Sequence, residues 1–233
     1  MTRLHFLLPC VTLACTSGVA AVTPAYVTAV ESVAVPTTTP ASAPDEWLLA
    51  HLDVETTGLV PGFHEMIDLG LVLTDIEGRI IDSLFLRVMP SHPERISAGA
   101  RRVNGFDEAR WRQLGALSQS AAVDSLFSFH TRAADGRSVL LVAFNSQFDT
   151  AFLDHLFRSR GSTWRELYHY LVLDIPSMAW ALGHRQLTNS AIAARLGVVD
   201  EPRVAEHHTG MTGAMLNVRI YQALRALNPA AAP

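Results

Sequence analysis

The chain contains no lysine; all eighteen of its basic residues are arginine, set against twenty-two acids for a formal charge of −4. The arginines are spread through the chain, a pattern of genome composition more than of a dedicated basic surface. Nucleic-acid binders are often basic overall, so the balance excludes binding through a pervasive positive field. It does not exclude a local site, because clustered carboxylates lower net charge while bound cations restore the local sign. Cysteine is confined to Cys10 and Cys15, so the rest of the chain has no thiol for a disulfide or a metal. Charged residues make up only 17% and hydrophobic ones 49%, which excludes wholesale disorder and is enough for a sizeable core.

A long apolar run is also lacking. Arg3 is followed by an apolar stretch from Leu4 to about Val19, broken by Pro9, Thr12 and Ser17, then by small residues Gly18, Ala20 and Ala21. It is too short and interrupted for a membrane span and has the form of a secretory leader over residues 1–21. Thr12-Leu13-Ala14-Cys15 loosely resembles a bacterial lipoprotein box, which would put a lipid anchor at Cys15. The expectation is export to the periplasm or envelope; the alternative is a misassigned start and a cytoplasmic protein, although no Met occurs between Met1 and Met66. Residues 22–45 are mostly Val, Thr, Ala and Pro, including Pro36-Thr37-Thr38-Thr39-Pro40, and read as an extended linker. One folded domain is expected over residues 46–228, with a tail at 229–233.

Within that domain, Trp47–Glu55 reads as a buried strand ending in acids. Met66–Thr74 and Arg79–Val88 are apolar and β-rich, and Asp75-Ile76-Glu77-Gly78 supplies turn chemistry between them. Leu117–Thr131 predicts a helix, Ser138–Ala143 a short strand, and Phe148–Arg158 a helix with Phe148, Phe152, Leu153 and Leu156 at one-turn spacings. Leu171–Asp174 predicts a strand, and Leu187–Leu196 and Met211–Leu227 predict helices. An antiparallel meander followed by strand–helix alternation implies an α/β fold, a mixed sheet with parallel strands added and helices on its faces.

Asp53 and Glu55 are two residues apart on a strand and so project to one side. Adjacent carboxylates repel unless a cation lies between them, and hard oxygen ligands suit Mg²⁺ or Mn²⁺. The following Gly58 predicts a sharp turn that leaves backbone amides near the acids. Taken alone, an Asp-x-Glu is an ordinary solvated strand end. Asp149 falls in the first turn of a helix, where an acid complements the dipole, and Asn145 or Ser146 can cap that helix. His207 and His208 precede the last helix and, by themselves, read as polar loop residues.

Taken in order, these segments resemble the DEDDh exonuclease superfamily, which includes the proofreading subunit of bacterial DNA polymerase III and ribonuclease T. Asp53-Val54-Glu55-Thr56-Thr57-Gly58 is similar to its first motif and Asn145-Ser146-Gln147-Phe148-Asp149 to its second. His208-Thr209-Gly210-Met211-Thr212-Gly213-Ala214 is similar to its His-x4-Asp-Ala motif. Met66–Gly70, Val103-Asn104-Gly105-Phe106 and Leu173-Asp174 continue the likeness, which spans roughly Glu46 to Leu227.

The resemblance implies a ribonuclease H-like fold and 3′→5′ hydrolysis of single-stranded DNA or RNA with two Mg²⁺ or Mn²⁺ ions. It implies that Asp53 bridges both ions, Glu55 binds the first, Asp149 holds the second through water, and His208 is the general base. Backbone near Thr56 and Thr57, with Gly58, Leu59, Asn145 and Phe148, would grip the 3′ end, Leu59 acting as a wedge. A homodimer is compatible with the family. The departure is Gly213, which stands where the family has its last Asp; no acid follows Glu206. The expectation is that Gly213 faces Asp53 and leaves a carboxylate-sized gap that weakens the first ion. A degenerate nuclease, a single-base variant and an enzyme using water instead are all compatible with it. The alternative function is a domain that binds nucleic acid without turnover.

Overall fold

The computed structural model of the protein describes residues 23–227. The expected leader with Cys10 and Cys15 and the expected tail lie outside the described residues. Five strands form one sheet in the order β3-β2-β1-β4-β5. β1 (Trp47–Thr56), β2 (Met66–Asp75) and β3 (Ile80–Arg87) form the antiparallel meander, and β4 (Ser138–Ala143) and β5 (Val172–Asp174) add parallel to β1. This is the mixed α/β sheet that the resemblance implies. The β2–β3 hairpin turns on Gly78, at φ 87°, while Asp75 Oδ1 accepts from the amides of Glu77 and Arg79, each at 2.9 Å. Only a residue without Cβ adopts that φ cheaply.

β1 lies at the centre and is buried on both faces. Its alternation sorts the two cores. Leu48, Ala50, Leu52 and Val54 join Leu69, Leu71 and Leu73 of β2 on one side. There they meet α4 (Gln119–Ala133) and α5 (Ser146–Arg158) through Val123, Leu126, Phe129, Phe152, Leu156 and Phe157. Trp47 and Leu49 face the other way, onto α6 (Ile175–Ala181), α7 (Asn189–Leu196) and α8 (Gly210–Ala226) through Ile175, Ile192, Leu216 and Ile220. Burying one such side chain contributes roughly 1.5–3 kcal/mol. His51, on this second side, is buried at 0% exposure with Nε2 at 3.2 Å from Thr74 Oγ1; burial drives its pKa down to about 3, so it is neutral.

The regular elements fall close to where hydrophobic periodicity places them. α4 starts two residues later than the apolar pattern because Ser118 caps it, accepting from Ala121 N–H, and α7 starts after Thr188, which accepts from Ala191 N–H. Helices α2 (Ala98–Asn104) and α3 (Glu108–Gln113), together with α6, lack a long periodic pattern and were not legible. They are short and held by caps at Ser97, Asp107 and Asp174. Within the segment expected to be extended, α1 (Pro24–Ser32) is a helix with no buried residue. Its Tyr26 hydroxyl donates to Asp154, and the Arg158 guanidinium lies 4.5 Å over the Tyr26 ring. Among the described residues no helix is long and apolar enough to cross a membrane.

α8 is seated on the sheet by two glycines. A Cβ on Gly70 would lie 2.2 Å from the Gly210 carbonyl carbon, and one on Gly210 would lie 2.5 Å from the Asp53 carbonyl oxygen. The helix start therefore rests directly on the backbone of β1 and β2. Gly70→Ala is expected to lower stability in urea unfolding by about 1–3 kcal/mol, the usual cost of forcing extra volume into a packed contact. An unchanged midpoint would mean that the contact yields freely.

Candidate active site

β4 stops at Ala143, paired with Leu52, while β1 runs on to Thr56. The last four residues of β1 thus project beyond the strand beside them. Their exposed edge is met by Asp149 from the first turn of α5: Val54 N–H donates to Asp149 Oδ1 at 3.2 Å. A carboxylate here stands in for the strand that has ended. Asn145 occupies the cap position of α5 in a left-handed conformation (φ 62°) but makes no side-chain cap. That role falls to Asp174 at the end of β5, whose Oδ1 accepts from Ser146 N–H at 3.0 Å. The expectation that Asn145 or Ser146 caps the helix is therefore corrected. Asp174 reaches in because β4 and β5 end side by side, Ala143 paired with Asp174.

Asp53 and Glu55 project from the α8 side of β1. The His208 Nε2 lies 3.1 Å from Glu55 Oε1, while His207 is exposed. His208 sits ahead of α8, whose first residue is Gly210, so the ring reaches across the helix start instead of lying along its side. Its Nδ1 lies 3.1 Å from the Pro202 carbonyl oxygen and 3.5 Å from Glu201 Oε2. Glu55 pairs across the sheet with Asp68, which is 1% exposed and accepts from Gly210 N–H through Oδ1 at 2.8 Å. Asp68 and Glu201 were missed from the sequence. Asp68 is one acid inside an apolar strand and Glu201 lies in an irregular loop, and only the sheet register and the loop path bring them here.

These groups form a concentration of negative charge. Burial pushes the Asp53 carboxyl well above its usual range, and Asp149, Glu55, Glu201 and Asp68 each push it further. Burial likewise raises Asp149, against the pull of its backbone hydrogen bonds. Asp68 is raised to about 7, first by burial and then by Glu55. His208 is raised to about 9, chiefly by its hydrogen bond to Glu55.

Gly213 faces Asp53. A Cβ placed on it would lie 2.3 Å from Asp53 Oδ2. The expected gap is thus not empty: the Asp53 carboxylate itself fills it, and any side chain at 213 has to displace that carboxylate. The backbone after β1 folds back tightly. Thr57 and Glu65 exchange bonds, Thr57 N–H to the Glu65 carbonyl at 2.8 Å and Glu65 N–H to Thr57 Oγ1 at 2.9 Å. Gly58 is required here by proximity more than by a sharp turn, since a Cβ would fall 2.4 Å from the His64 ring. Asn104 Nδ2 donates to the Thr56 carbonyl at 2.9 Å, tying α2 to the end of β1. Between them lies an apolar pocket of about 270 Å³ lined by Glu55, Leu59, Ala100, Val103 and Phe148 among others. Leu59 is 80% exposed at its rim.

The all-carboxylate set of Asp53, Glu55 and Asp149 fits a hard divalent cation in its chemistry. Among the described residues, however, no three His, Cys, Asp or Glu side chains are arranged as a ready metal cage. Glu55 is engaged by His208 and Asp149 by Val54 N–H.

No protein-family model matches the chain. The curated DNA polymerase III PolC-type of Mycoplasmopsis pulmonis is 24% identical over 173 residues, 73% of this chain but 11% of that protein. Solved exonucleases share the fold. Exonuclease I of Methylocaldum szegediense superposes with TM-score 0.62 at 15% identity, over 79% of this chain and 41% of that one. The nuclease domain of 3′hExo, described as a DEDDh family member, gives TM-score 0.63 at 17% identity, over 77% of this chain and 91% of that one. E. coli exonuclease I bound to an oligonucleotide gives 0.61 at 15%. The chain spans less than half the length of the exonuclease I structures. Its fold is that of the DEDDh exonucleases.

The charge cluster sets a pH dependence. Asp53, Asp68 and Asp149 hold protons more tightly in the fold than in the unfolded chain, which releases them near pH ~3.9, so their contribution to stability falls as pH rises, for Asp68 through about 7. His208 acts in the same direction. Its stabilisation is complete below the unfolded value of ~6.5 and is lost as pH passes about 9. The thermal midpoint in chelator is expected to fall between about pH 5 and pH 9. Mn²⁺ should raise it more at about pH 8 than at pH 5.5, because the cation competes with those protons. Equal increments at both values would contradict this.

Proposed function

We propose that the chain is a metal-dependent 3′→5′ exonuclease acting on single-stranded nucleic-acid ends. The observation that supports this best is the placement of Asp53, Glu55, Asp149 and His208 at one end of the sheet, beside an apolar pocket. Asp53, Glu55 and Asp149 would hold divalent cations, which when bound supply an activated water and neutralise charge on the leaving oxygen. His208 would take the proton of the attacking water through Nε2, the nitrogen that faces Glu55. The pocket lined by Leu59, Val103 and Phe148 is suited to a terminal base, whose faces are apolar. Thr56 and Gly58 line this pocket, and the buried Thr57 ties the segment between them to Glu65. Asn145 is exposed at the start of α5 and would face the sugar–phosphate.

Gly213 favours a second reading, a domain that binds single strands without cleaving them. The Asp53 carboxylate occupies the space beside residue 213, and no acid from α8 shares the cation with it. Digestion of a labelled single strand in Mn²⁺ distinguishes the two. The exonuclease reading expects stepwise shortening from the 3′ end, faster in Gly213→Asp, and about 10²–10⁴-fold slower after His208→Ala. Binding without shortening, in both the unmodified chain and Gly213→Asp, would leave the second reading. Gly213→Asp is also expected to be less stable in chelator, since it sets another carboxylate against Asp53.

A further inference from the structure

Glu201 is a carboxylate with 3% of its side chain exposed, in the loop between α7 and α8. A buried acid is retained only with partners; one of its partners anchors it to the loop and the other two lie at the helix start and the cleft. Oε1 pairs with Arg203 at 3.0 Å. Oε2 accepts from Thr212 Oγ1 at 3.4 Å and lies 3.5 Å from His208 Nδ1. Thr212 is in turn half of the capping box that starts α8: its Oγ1 receives Thr209 N–H at 3.1 Å. One side chain therefore connects the loop, the helix start and the imidazole.

The His208 ring has acceptors on both sides. At Nδ1 stand the Pro202 carbonyl, at 3.1 Å, and the Glu201 carboxylate; at Nε2 stands Glu55. A neutral imidazole has one N–H and one lone pair, and the acceptor at one nitrogen decides which is which. With Glu55 at Nε2 and two oxygens at Nδ1, the protonated ring donates on both sides; when Nε2 gives up its proton, the Pro202 and Glu201 oxygens keep the other at Nδ1. We propose that Glu201 is a positioning residue for His208, fixing the ring's orientation and its Nδ1–H tautomer from a loop outside the motif residues.

The kinetic consequence rests on the exonuclease reading, whereas the ring geometry does not, so the test has two arms. In the first, ¹⁵N-histidine NMR follows His208, assigned by the signals lost in His208→Ala. The unmodified chain is expected to show a protected, hydrogen-bonded Nδ1 proton. Glu201→Gln, which keeps an acceptor oxygen, should retain it. Glu201→Ala should lose it to exchange or show mixed tautomers, while the thermal midpoint reports that the variant is folded. An Nδ1 signal unchanged in folded Glu201→Ala overturns the proposal whether or not the chain cleaves.

In the second arm, the unmodified chain and Gly213→Asp are assayed on a labelled single strand. Glu201→Ala should lower kcat about 10–100-fold, the usual effect of removing a group that orients a catalytic side chain, with KM changed less than about twofold. Glu201→Gln should recover most of it. On a His208→Ala background Glu201→Ala should add nothing, and a further independent loss would show that Glu201 acts elsewhere. If no form cleaves, the exonuclease reading falls and the NMR arm still decides the role of Glu201.

Discussion

The structure depends on one mismatch of length: β1 runs four residues past the end of β4. In a parallel sheet the inner strands are normally covered on both edges. Here Asp53–Thr56 lose their β4 neighbour and retain only β2. The uncovered Val54 amide is satisfied by Asp149, a side chain from the helix that follows β4. A backbone group left without a partner in this buried position would cost about 1–3 kcal/mol, so the acid has a structural reason to be there. That same requirement brings it to the strand carrying Asp53 and Glu55.

The second constraint is the close seat of α8. Gly70 and Gly210 allow the helix start to touch the sheet backbone, and Gly213 gives its space to the Asp53 carboxylate. Asp68, buried in β2, receives the Gly210 amide, and His208 just before the helix meets Glu55. The result is a cluster of five carboxylates, in which Asp53 feels Glu55, Asp68, Asp149 and Glu201, with His208 set between Glu55 and Glu201. Such an arrangement is electrostatically costly for the protein alone. Protonation or a bound cation relieves it, and this links the site's chemistry to the stability of the fold.

Much of this was legible in the sequence. Continuous apolar, β-rich runs bounded by turn residues placed β1, β2 and β3, and one-turn spacing placed α5. The acids of β1 and the histidine before α8 carried the resemblance to the exonucleases. What escaped were features that depend on tertiary closure. The helix α8 buries Leu216, Asn217, Ile220 and Leu224 as well as Ala214, Val218 and Tyr221, because it packs against both β2 and the α6–α7 layer. Asp174 capping α5, Asp68 under α8 and Glu201 behind His208 are single polar residues whose partners lie far away in sequence. No local pattern announces them. The space at Gly213 was misjudged for a related reason: side chains in a packed interior occupy what a substitution vacates.

The central proposal is that Asp53, Glu55 and Asp149 would together hold a cation despite the glycine at 213. Crystals soaked in Mn²⁺ and measured at the manganese absorption edge test it most directly. The account predicts an anomalous peak between Asp53 and Asp149, within bonding distance of carboxylate oxygens and absent in Asp53→Asn. Manganese ordered elsewhere on the protein, with the cleft empty at saturating ion, would contradict it.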